Sequence, residues 1–220
     1  MFQHQGIWLP DGEKHFPEWM TRNGEIVNGK GTYQIKKFRE AMRWCGEGRR
    51  VVDVGAHVGL WSMHLSQHFD VIEAFEPVPQ FQACWAKNME GLPWIGTLHS
   101  IALGAAEGVV SMKIDPADTG GTHADYHPLK DTVPLKPLDS FEFQDVDFIK
   151  IDVEGAEIEV VKGAEGTLRR CHPCVIVEQK PHKLWPNFGI KGTPAVDFLR
   201  SLGAVLRKEM GGDYIMSWDA

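Results

Sequence analysis

The sequence predicts an α/β fold in three layers, with helices on both faces of a mostly parallel β-sheet that has one antiparallel edge. Short apolar strand patterns alternate with helical patterns from Val51 to Val177, as in sheets whose parallel strands are joined by crossover helices. The C-terminal stretch AVLRKEMGGDYIMSW holds two strand patterns around Gly211-Gly212, which predicts a hairpin. A chain of 220 residues that is 43% hydrophobic is the right size for a single domain, residues 1–220.

The part of the chain before the first predicted strand, residues 1–45, is an N-terminal arm followed by a helix. Residues 1–30 mix Trp8, Phe16 and Trp19 with glycine, proline and charged residues and keep no regular period, so we predict an irregular arm. Apolar residues from Ile35 to Cys45 follow helical spacing and predict an amphipathic helix. The aromatic residues of the arm are candidates for covering an active site.

The rest of the chain alternates between the two kinds of element. The predicted helices cover residues 59–68, 81–89, 156–169 and 195–202. The predicted strands before the hairpin cover residues 51–54, 71–75, 97–102, 109–114, 146–151 and 174–177. Residues 115–130 keep no period and are rich in turn formers, so we predict a loop of a length at which loops are often functional.

Charge and composition exclude several classes of partner. The net charge of -7 argues against extended nucleic-acid binding, which needs clustered lysine and arginine. No apolar run reaches the length of about 18 residues that a membrane span needs, and the N-terminus lacks the pattern of a signal peptide. Four scattered cysteines do not make a disulfide scaffold. We therefore expect a cytoplasmic protein with reduced thiols and no membrane partner.

The first predicted strand runs into a glycine-containing turn in VVDVGAHVGLWS, residues 51–62. Such a turn lets the main chain approach a ligand, and Glu76 follows Gly55 at about the 20-residue offset of a ribose-binding carboxylate. A dinucleotide fingerprint needs further glycines where the chain has His57 and Leu60, and no P-loop pattern is present. S-adenosylmethionine, which has a ribose and no phosphate, satisfies this pattern. The alternative is a turn that only connects a strand to a helix.

Four stretches, VVDVGAHVGLWS, AFEPVP, FIKIDVEGAEIEVVKGAEGTL and PCVIVE, together resemble the FkbM family of S-adenosylmethionine-dependent methyltransferases. The resemblance runs from about Arg50 to Glu178 and implies a Rossmann-like class I methyltransferase fold, whose mostly parallel seven-stranded sheet ends in a C-terminal antiparallel hairpin. It also implies O-methylation of a hydroxyl on a small-molecule, sugar or glycan-like acceptor. N-methylation, a nucleotide-containing acceptor, and a non-catalytic S-adenosylmethionine-binding partner subunit stay open as alternatives.

The resemblance also implies which residues hold the cofactor. Residues of the glycine turn would surround the methionine part, Glu76 would hold the ribose hydroxyls, and two residues at the end of the third strand would lie near the adenine. The family turn usually reads Gly-Ala-Asn, so the histidine in this turn is a departure. The predicted cofactor-binding residues are Asp53, Gly55, Ala56, His57, Gly59, Glu76, Pro77, Ile101, Ala102 and Asp152.

Methyl transfer to a hydroxyl requires an aligned acceptor and a group that removes its proton. Strand alternation puts Lys150 and Asp152 on one face of a strand, with Asp152 at its end as the first candidate for cofactor contact or proton removal. Glu154 follows in the next turn, and Glu178 ends the next strand as a second candidate base. Lys150 either orients the acceptor or forms a structural ion pair with Asp152 or Glu178. Glu157 is expected to support the first turn of a helix.

Histidine and cysteine residues give weaker candidates. A histidine such as His57 ordinarily titrates near neutral pH, which suits a general base, but we expect its side chain to be part of the wall around the cofactor. His123, Asp125 and His127 alternate along the predicted loop, which suits either metal or substrate, and we expect a solvated substrate loop without metal. The two cysteines within residues 171–174 resemble half of a zinc site without a second half, so we expect structural thiols.

Overall fold

The computed structural model describes residues 1–127, 130–180 and 192–219. Before the first strand of the central sheet, the chain forms two short hairpins and two helices: β1 (Phe2–His4), β2 (Ile7–Leu9), α1 (His15–Asn23), β3 (Ile26–Val27), β4 (Lys30–Gly31) and α2 (Ile35–Met42). The predicted irregular arm is therefore wrong over much of residues 1–30. These strands have only two or three residues each, which is too short for a period to show in the sequence.

In the rest of the chain, strands and helices alternate as the sequence predicts, except that four further strands come between the 95–99 and 146–151 strands. The first group contains β5 (Arg50–Val54), α3 (Ser62–Leu65), β6 (Val71–Phe75), α4 (Pro79–Met89), β7 (Ile95–His99), β8 (Ala102–Leu103), β9 (Gly108–Lys113), β10 (His123–Asp125) and β11 (Thr132–Lys136). The second contains β12 (Val146–Ile151), α5 (Glu157–Lys162), α6 (Glu165–Cys171), β13 (Cys174–Glu178), α7 (Pro194–Ser201), β14 (Val205–Glu209) and β15 (Asp213–Ser217).

Seven strands form the central sheet in the order β14-β15-β13-β12-β5-β6-β7. The neighbours from β13 to β7 pair in parallel, whereas β15 pairs antiparallel with both β13 and β14. The predicted mostly parallel sheet and its C-terminal hairpin are confirmed. This topology brings the carboxyl ends of β5, β6, β12 and β13 to one edge, where open α/β sheets bind their ligands.

The core lies on both faces of the central sheet, as expected for parallel strands that are apolar along their whole length. Phe148 and Ile176 belong to the cluster that packs against α1–α4, whereas Ile149 and Val177 belong to the cluster that packs against α5–α7. Successive residues of a strand point to opposite faces, so each buried strand contributes to both clusters. The result is the predicted three-layer arrangement.

A second sheet in the order β10-β9-β11-β8 lies beside the central sheet. It corrects the prediction of a loop over residues 115–130, because residues 123–125 pair antiparallel with β9; residues 128 and 129 of that prediction lie outside the described residues. It also shortens the third predicted strand, since β7 ends at His99 and Ala102 begins β8 of the second sheet.

Two predicted helices are shorter or divided. Only residues 62–65 of the predicted 59–68 helix form an α-helix, and the predicted 156–169 helix is split into α5 and α6. The split falls at Gly163, where a Cβ atom would come within 2.0 Å of the carbonyl oxygen of Gly104. The carboxylate of Asp139 then accepts hydrogen bonds from two main-chain amides at the start of α6. Among the described residues, no helix combines the length and the apolar character that a membrane crossing requires.

Candidate active site

A cavity of about 340 Å³ lies at the carboxyl ends of β5, β6, β12 and β13. Its floor is formed by the turns that follow these strands. Its other walls come from the N-terminal segment, which we define as residues 1–34, and from residues of the second sheet. The volume falls within the range of about 300–1,000 Å³ that is typical of small-molecule and cofactor sites.

The glycine turn after β5 brings the main chain to the cavity. Gly55 has φ +72°, and a Cβ atom there would lie only 2.0 Å from the carbonyl oxygen of Asp152, so the two strand ends meet only because residue 55 has no side chain. Ala56 also lines the cavity. Gly59 has φ +89° and packs against the indole of Trp85 rather than lining the cavity. Its role at the cofactor stays a prediction.

Glu76 lies at the end of β6 with 4% of its surface exposed and lines the cavity together with Pro77. Its Oε2 accepts a hydrogen bond from the His57 amide at 2.9 Å, and its Oε1 accepts one from the Val78 amide at 2.8 Å. Each carboxylate oxygen keeps further lone-pair capacity for a ligand hydroxyl. Burial raises the pKa of Glu76 to about 7, although these two hydrogen bonds act in the opposite direction.

Lys150 lies under the glycine turn as a buried cation. Its ammonium group donates to the carbonyl oxygens of Gly55, at 2.6 Å, and Val54, at 3.3 Å, and lies 3.5 Å from Oδ1 of Asp53. Lys150 therefore forms a structural ion pair as predicted, but its partner is Asp53 rather than Asp152 or Glu178. Burial lowers the pKa of Lys150, but the nearby carboxylates of Asp53 and Asp152 outweigh it and raise this pKa above its usual value.

Asp53 is fully buried and does not line the cavity. Its second carboxylate oxygen accepts a hydrogen bond from the hydroxyl of Ser62 at 2.6 Å, and that hydroxyl accepts one from the indole N–H of Trp85 at 2.8 Å. The carboxylate thus holds α3, α4 and Lys150 together beneath the turn. Direct contact between Asp53 and the cofactor stays a prediction.

Three predicted catalytic carboxylates, Asp152, Glu154 and Glu178, meet at one end of the cavity. An oxygen from each lies within 4.8 Å of the others, and Glu178 pairs with the ammonium group of Lys180, which also lines the cavity. Burial and, to a lesser extent, the charges of these carboxylates raise the pKa of the Tyr33 phenol, so that it stays a neutral donor. This end of the cavity therefore presents negative charge beside an aromatic hydroxyl.

The turn that carries Glu154 is supported from below by Glu157. Glu154 has φ +56°, an unusual conformation for a residue with a side chain. The buried carboxylate of Glu157 accepts a hydrogen bond from the Gly155 amide at 2.8 Å, in agreement with its predicted support of the helix start. Burial raises the pKa of Glu157 to about 7. It does not line the cavity, which separates it from the three carboxylates above it.

Aromatic residues of the N-terminal segment form one wall of the cavity. Phe16, Trp19 and Tyr33 line it, and Tyr33 contacts both of the others, with ring centroids 4.9 Å from Phe16 and 4.6 Å from Trp19. The sequence analysis named Phe16 and Trp19 as candidates for covering the site, whereas nothing in the local sequence pattern indicated Tyr33. The segment therefore lies over the site that the strand ends build.

His57 lines the cavity, and its ring is held by neighbouring side chains. The ring centroid is 5.1 Å from that of Phe16 and 4.4 Å from that of Phe81, and Nε2 lies 2.9 Å from Oγ1 of Thr119. Burial and the charge of Lys150 lower the pKa of His57 to about 3. The imidazole is therefore neutral and a weak base at neutral pH, as suits a wall residue better than a general base.

The opposite end of the cavity is apolar and is lined by both sheets. Ile101 and Ala102 line it as the sequence predicts, together with Met112, Ala124 and Tyr126 of the second-sheet region. The sequence analysis missed these last three residues. For Ala124 and Tyr126, strict alternation in THADYH was the signal that could have found them, because it turns residues 124 and 126 toward the cavity and residues 123 and 125 away.

The predicted metal-or-substrate residues of this segment make other contacts. His123 Nδ1 lies 3.0 Å from the carbonyl oxygen of Gly121, and Asp125 pairs with Lys113 at 3.0 Å. Asp125 also accepts a hydrogen bond from the His127 amide at 3.0 Å. The cavity lining contains none of these three residues, and their part in binding substrate stays a prediction. All four cysteines are free thiols.

The strand order, the C-terminal hairpin and the glycine turn beside Glu76 place the protein in the class of Rossmann-like methyltransferase folds. Methyltransferase FkbM from Methylobacillus flagellatus KT superposes with a TM-score of 0.52 at 16% identity, over 79% of this chain and 44% of that chain. A Streptococcus mutans protein in complex with SAH superposes with a TM-score of 0.50 at 9% identity, over 84% of this chain and 96% of that chain. The predicted fold is confirmed.

The chain belongs to the methyltransferase FkbM domain family, whose family model matches residues 53–206. Methyltransferase 1 of Beauveria bassiana (strain ARSEF 2860) is 26% identical over 144 residues, which are 52% of this chain and 58% of the relative. The chain thus spans little more than half the length of this curated relative. The predicted family is confirmed, and the N-terminal segment lies outside the matched region.

Proposed function

We propose that this protein is an S-adenosylmethionine-dependent methyltransferase that acts on a hydroxyl of a small-molecule, sugar or glycan-like acceptor. One observation carries the proposal. The same cavity is lined by the glycine turn and Glu76, which suit a nucleoside, and by the three carboxylates at the ends of β12 and β13, which suit an acceptor. Family membership supports the cofactor, as does the SAH bound by the Streptococcus mutans protein of the same fold.

The cavity suits S-adenosylmethionine along its length. Glu76 offers both carboxylate oxygens where two ribose hydroxyls need acceptors, and the apolar residues around Ile101 suit an adenine ring. The main chain at Gly55 and Ala56, with the carboxylate of Asp152, suits the methionine part with its ammonium group. The negative charge at this end also suits the positive sulfonium of the cofactor.

The acceptor end favours a polyhydroxylated molecule. Trp19 and Tyr33 offer aromatic surfaces, which pack well against the apolar face of a sugar ring. Glu154 and Glu178 offer hydrogen-bond acceptors for hydroxyl groups, since an ionised carboxylate only accepts. An acceptor with its own negative charge beside these carboxylates would meet repulsion, which favours a neutral acceptor.

The chain's own residues would then perform three tasks. S-adenosylmethionine, when bound, supplies the methyl group on a positively charged sulfur. Glu178 takes the proton of the acceptor hydroxyl, a step worth about 10²–10⁴-fold in rate, and its pairing with Lys180 holds the carboxylate in place. Asp152 orients the cofactor, and the aromatic wall aligns the acceptor and excludes water. Lys150 stays protonated and acts beneath the turn rather than as a base.

Calorimetry with S-adenosylmethionine and SAH tests the cofactor, and radiolabelled methyl transfer tests the acceptor. The acceptor panel should contain sugars, glycosides, polyols and matched amines in which an amino group replaces the hydroxyl. We expect micromolar cofactor binding, transfer to a hydroxyl, and a loss of about 10²–10⁴-fold in kcat for Glu178→Gln with little change in cofactor Kd. Glu165→Gln, at an exposed surface ion pair on α6, is the matched control.

The outcomes separate the alternatives. A wild-type protein that does not bind the cofactor contradicts the whole proposal. Transfer to amines alone replaces O-methylation by N-methylation, and transfer only to nucleotide-containing acceptors changes the acceptor class. Cofactor binding without transfer to any member of the panel favours a non-catalytic partner subunit. A cytoplasmic location stays a prediction.

A further inference from the structure

Glu13 is a buried carboxylate of the N-terminal segment, with 3% of its surface exposed, and it lies above the cavity rather than in its wall. Its Oε1 accepts a hydrogen bond from the Phe16 amide at 3.0 Å. Its Oε2 accepts one from the Thr119 amide at 2.7 Å and another from the Thr119 hydroxyl. A buried carboxylate is stable only with such partners, so Glu13 fixes two distant segments against each other.

The main chain strengthens this junction. The amides of Lys14 and His15 both donate to the carbonyl oxygen of Ala117, at 3.0 and 3.3 Å. The two joined segments supply Phe16 and residues 118–122 to the cavity lining, and we call these residues the roof. Glu13 and Thr119 are 106 positions apart in the chain, so the roof exists only where the fold brings them together.

The Thr119 hydroxyl extends the junction to the glycine turn. Its single proton is donated to Glu13, so its oxygen accepts from Nε2 of His57 at 2.9 Å, and the network assigns the tautomer with hydrogen on Nε2. The His57 amide in turn donates to Glu76 at 2.9 Å. Hydrogen bonds therefore connect Glu13, through Thr119 of the roof and then His57, to the carboxylate that faces the ribose site.

We propose that Glu13, acting through Thr119 and His57, is a positioning residue that holds the roof against the glycine turn and so sets the affinity for S-adenosylmethionine. This inference rests on the proposed function, because the ligand under the roof is that cofactor. Glu13 lies outside residues 53–206, so the family match assigns it no role. It also explains the histidine in the turn, since an asparagine side chain is too short to reach Thr119.

Cofactor affinity in matched variants tests the proposal by calorimetry with S-adenosylmethionine. Glu13→Gln places an amide N–H₂ against donors, and Thr119→Val removes the hydroxyl at the same shape. Each should raise Kd by about tenfold or more, the scale of one lost hydrogen bond to a charged group. Thr119→Ser keeps the hydroxyl and should stay within about twofold of the wild type, as should Glu18→Gln, an exposed carboxylate on α1.

Two readouts separate positioning from general destabilisation. The KM for the cofactor should rise in Glu13→Gln and Thr119→Val, whereas kcat at saturating cofactor should change by less than about threefold. Nitrogen-15 NMR should show hydrogen on Nε2 of His57 in the wild type and in Thr119→Ser, and a mixture of tautomers in Thr119→Val.

Three results would contradict the positioning role of Glu13 or the proposed function. Unchanged Kd in both Glu13→Gln and Thr119→Val, with a wild type that binds normally, overturns the positioning role and leaves the proposed function standing. An equal loss of affinity in Thr119→Ser also overturns it, because the hydroxyl would then not be the link. Absence of cofactor binding by the wild type overturns the proposed function itself, and with it this inference.

Discussion

Replacement of Lys150 by methionine separates a structural role of this ammonium group from a catalytic one. Lys150 is 6% exposed, its ammonium group donates to two main-chain carbonyls of the glycine turn, and it lies 3.5 Å from the fully buried Asp53. Methionine matches the length and apolar stem of lysine but carries no charge. The substitution therefore leaves the carboxylate of Asp53 without its cationic partner.

The expected cost follows from that buried pair. Removal of one partner from a buried ion pair costs about 3–5 kcal/mol, because the other charge stays buried and uncompensated. For a domain of this size, at about 2–4 °C per kcal/mol, Lys150→Met should lower Tm by roughly 6–20 °C. That is a large part of a total stability of about 5–15 kcal/mol.

Thermal and urea unfolding of a small variant set measure this effect. The double variant Asp53→Asn/Lys150→Met removes both charges and should recover a good part of the lost stability, since neighbouring sites in one network are not additive. Lys162→Met, at an exposed pair with Glu159, should stay within about 0.5 kcal/mol of the wild type. A Lys150→Met protein that unfolds like the wild type but loses methyl transfer by 100-fold or more would refute the structural role.

Three further perturbations test other parts of the site and fold. Burial raises the pKa of Glu76 to about 7, and ribose recognition needs the ionised carboxylate. The Kd for S-adenosylmethionine should therefore rise by up to about tenfold per pH unit below pH 7 and level off above it. A calorimetric profile that is flat from about pH 5.5 to 8.5 contradicts this assignment. Gly55→Ala places a Cβ atom 2.0 Å from the Asp152 carbonyl oxygen at φ +72°, so urea unfolding should show a loss of at least about 1–3 kcal/mol, and calorimetry should show lost cofactor binding. Gly108→Ala, with open space around it, is the control, and an equal loss there would point to a general effect. Asp139→Ala removes the carboxylate at the start of α6 and should cost about 1–2 kcal/mol in urea unfolding with cofactor Kd unchanged, so a changed Kd would count against a purely structural cap.

The central sheet could be predicted closely because its strands are buried on both faces. The predicted 71–75 and 146–151 strands coincide with β6 and β12, and the predicted 51–54 and 174–177 strands each differ from the structure by one residue. A continuous apolar run between turn formers is a local signal, so the sequence alone is enough to locate it. The predicted 109–114 strand also matches β9 of the second sheet, shifted by one residue. The short strands of the N-terminal segment and the other three strands of the second sheet lack such a run and were missed.

The site was predictable only in part, for a similar reason. The glycine turn and Glu76 are linked by a characteristic spacing along one β-α-β unit, so both were found. The partner of Lys150 was not, because Lys150 faces Asp53 across the register of β12 and β5, and this pairing brings together residues that are far apart in the chain. Tyr33 and Met112 reach the cavity from segments whose local patterns gave no sign of it.

The sequence by itself determined the parallel sheet, its C-terminal hairpin, the glycine turn and the family, since each depends on residues that are close together or on an ordered set of motifs. Tertiary structure decided which charges pair, which side chains close the cavity and what His57 does. The junction of Glu13, Thr119 and His57 depends on hydrogen bonds that act over about 3 Å, between segments that the chain separates widely. Such short-range interactions become specific only after the hydrophobic core has fixed the positions of the segments that make them.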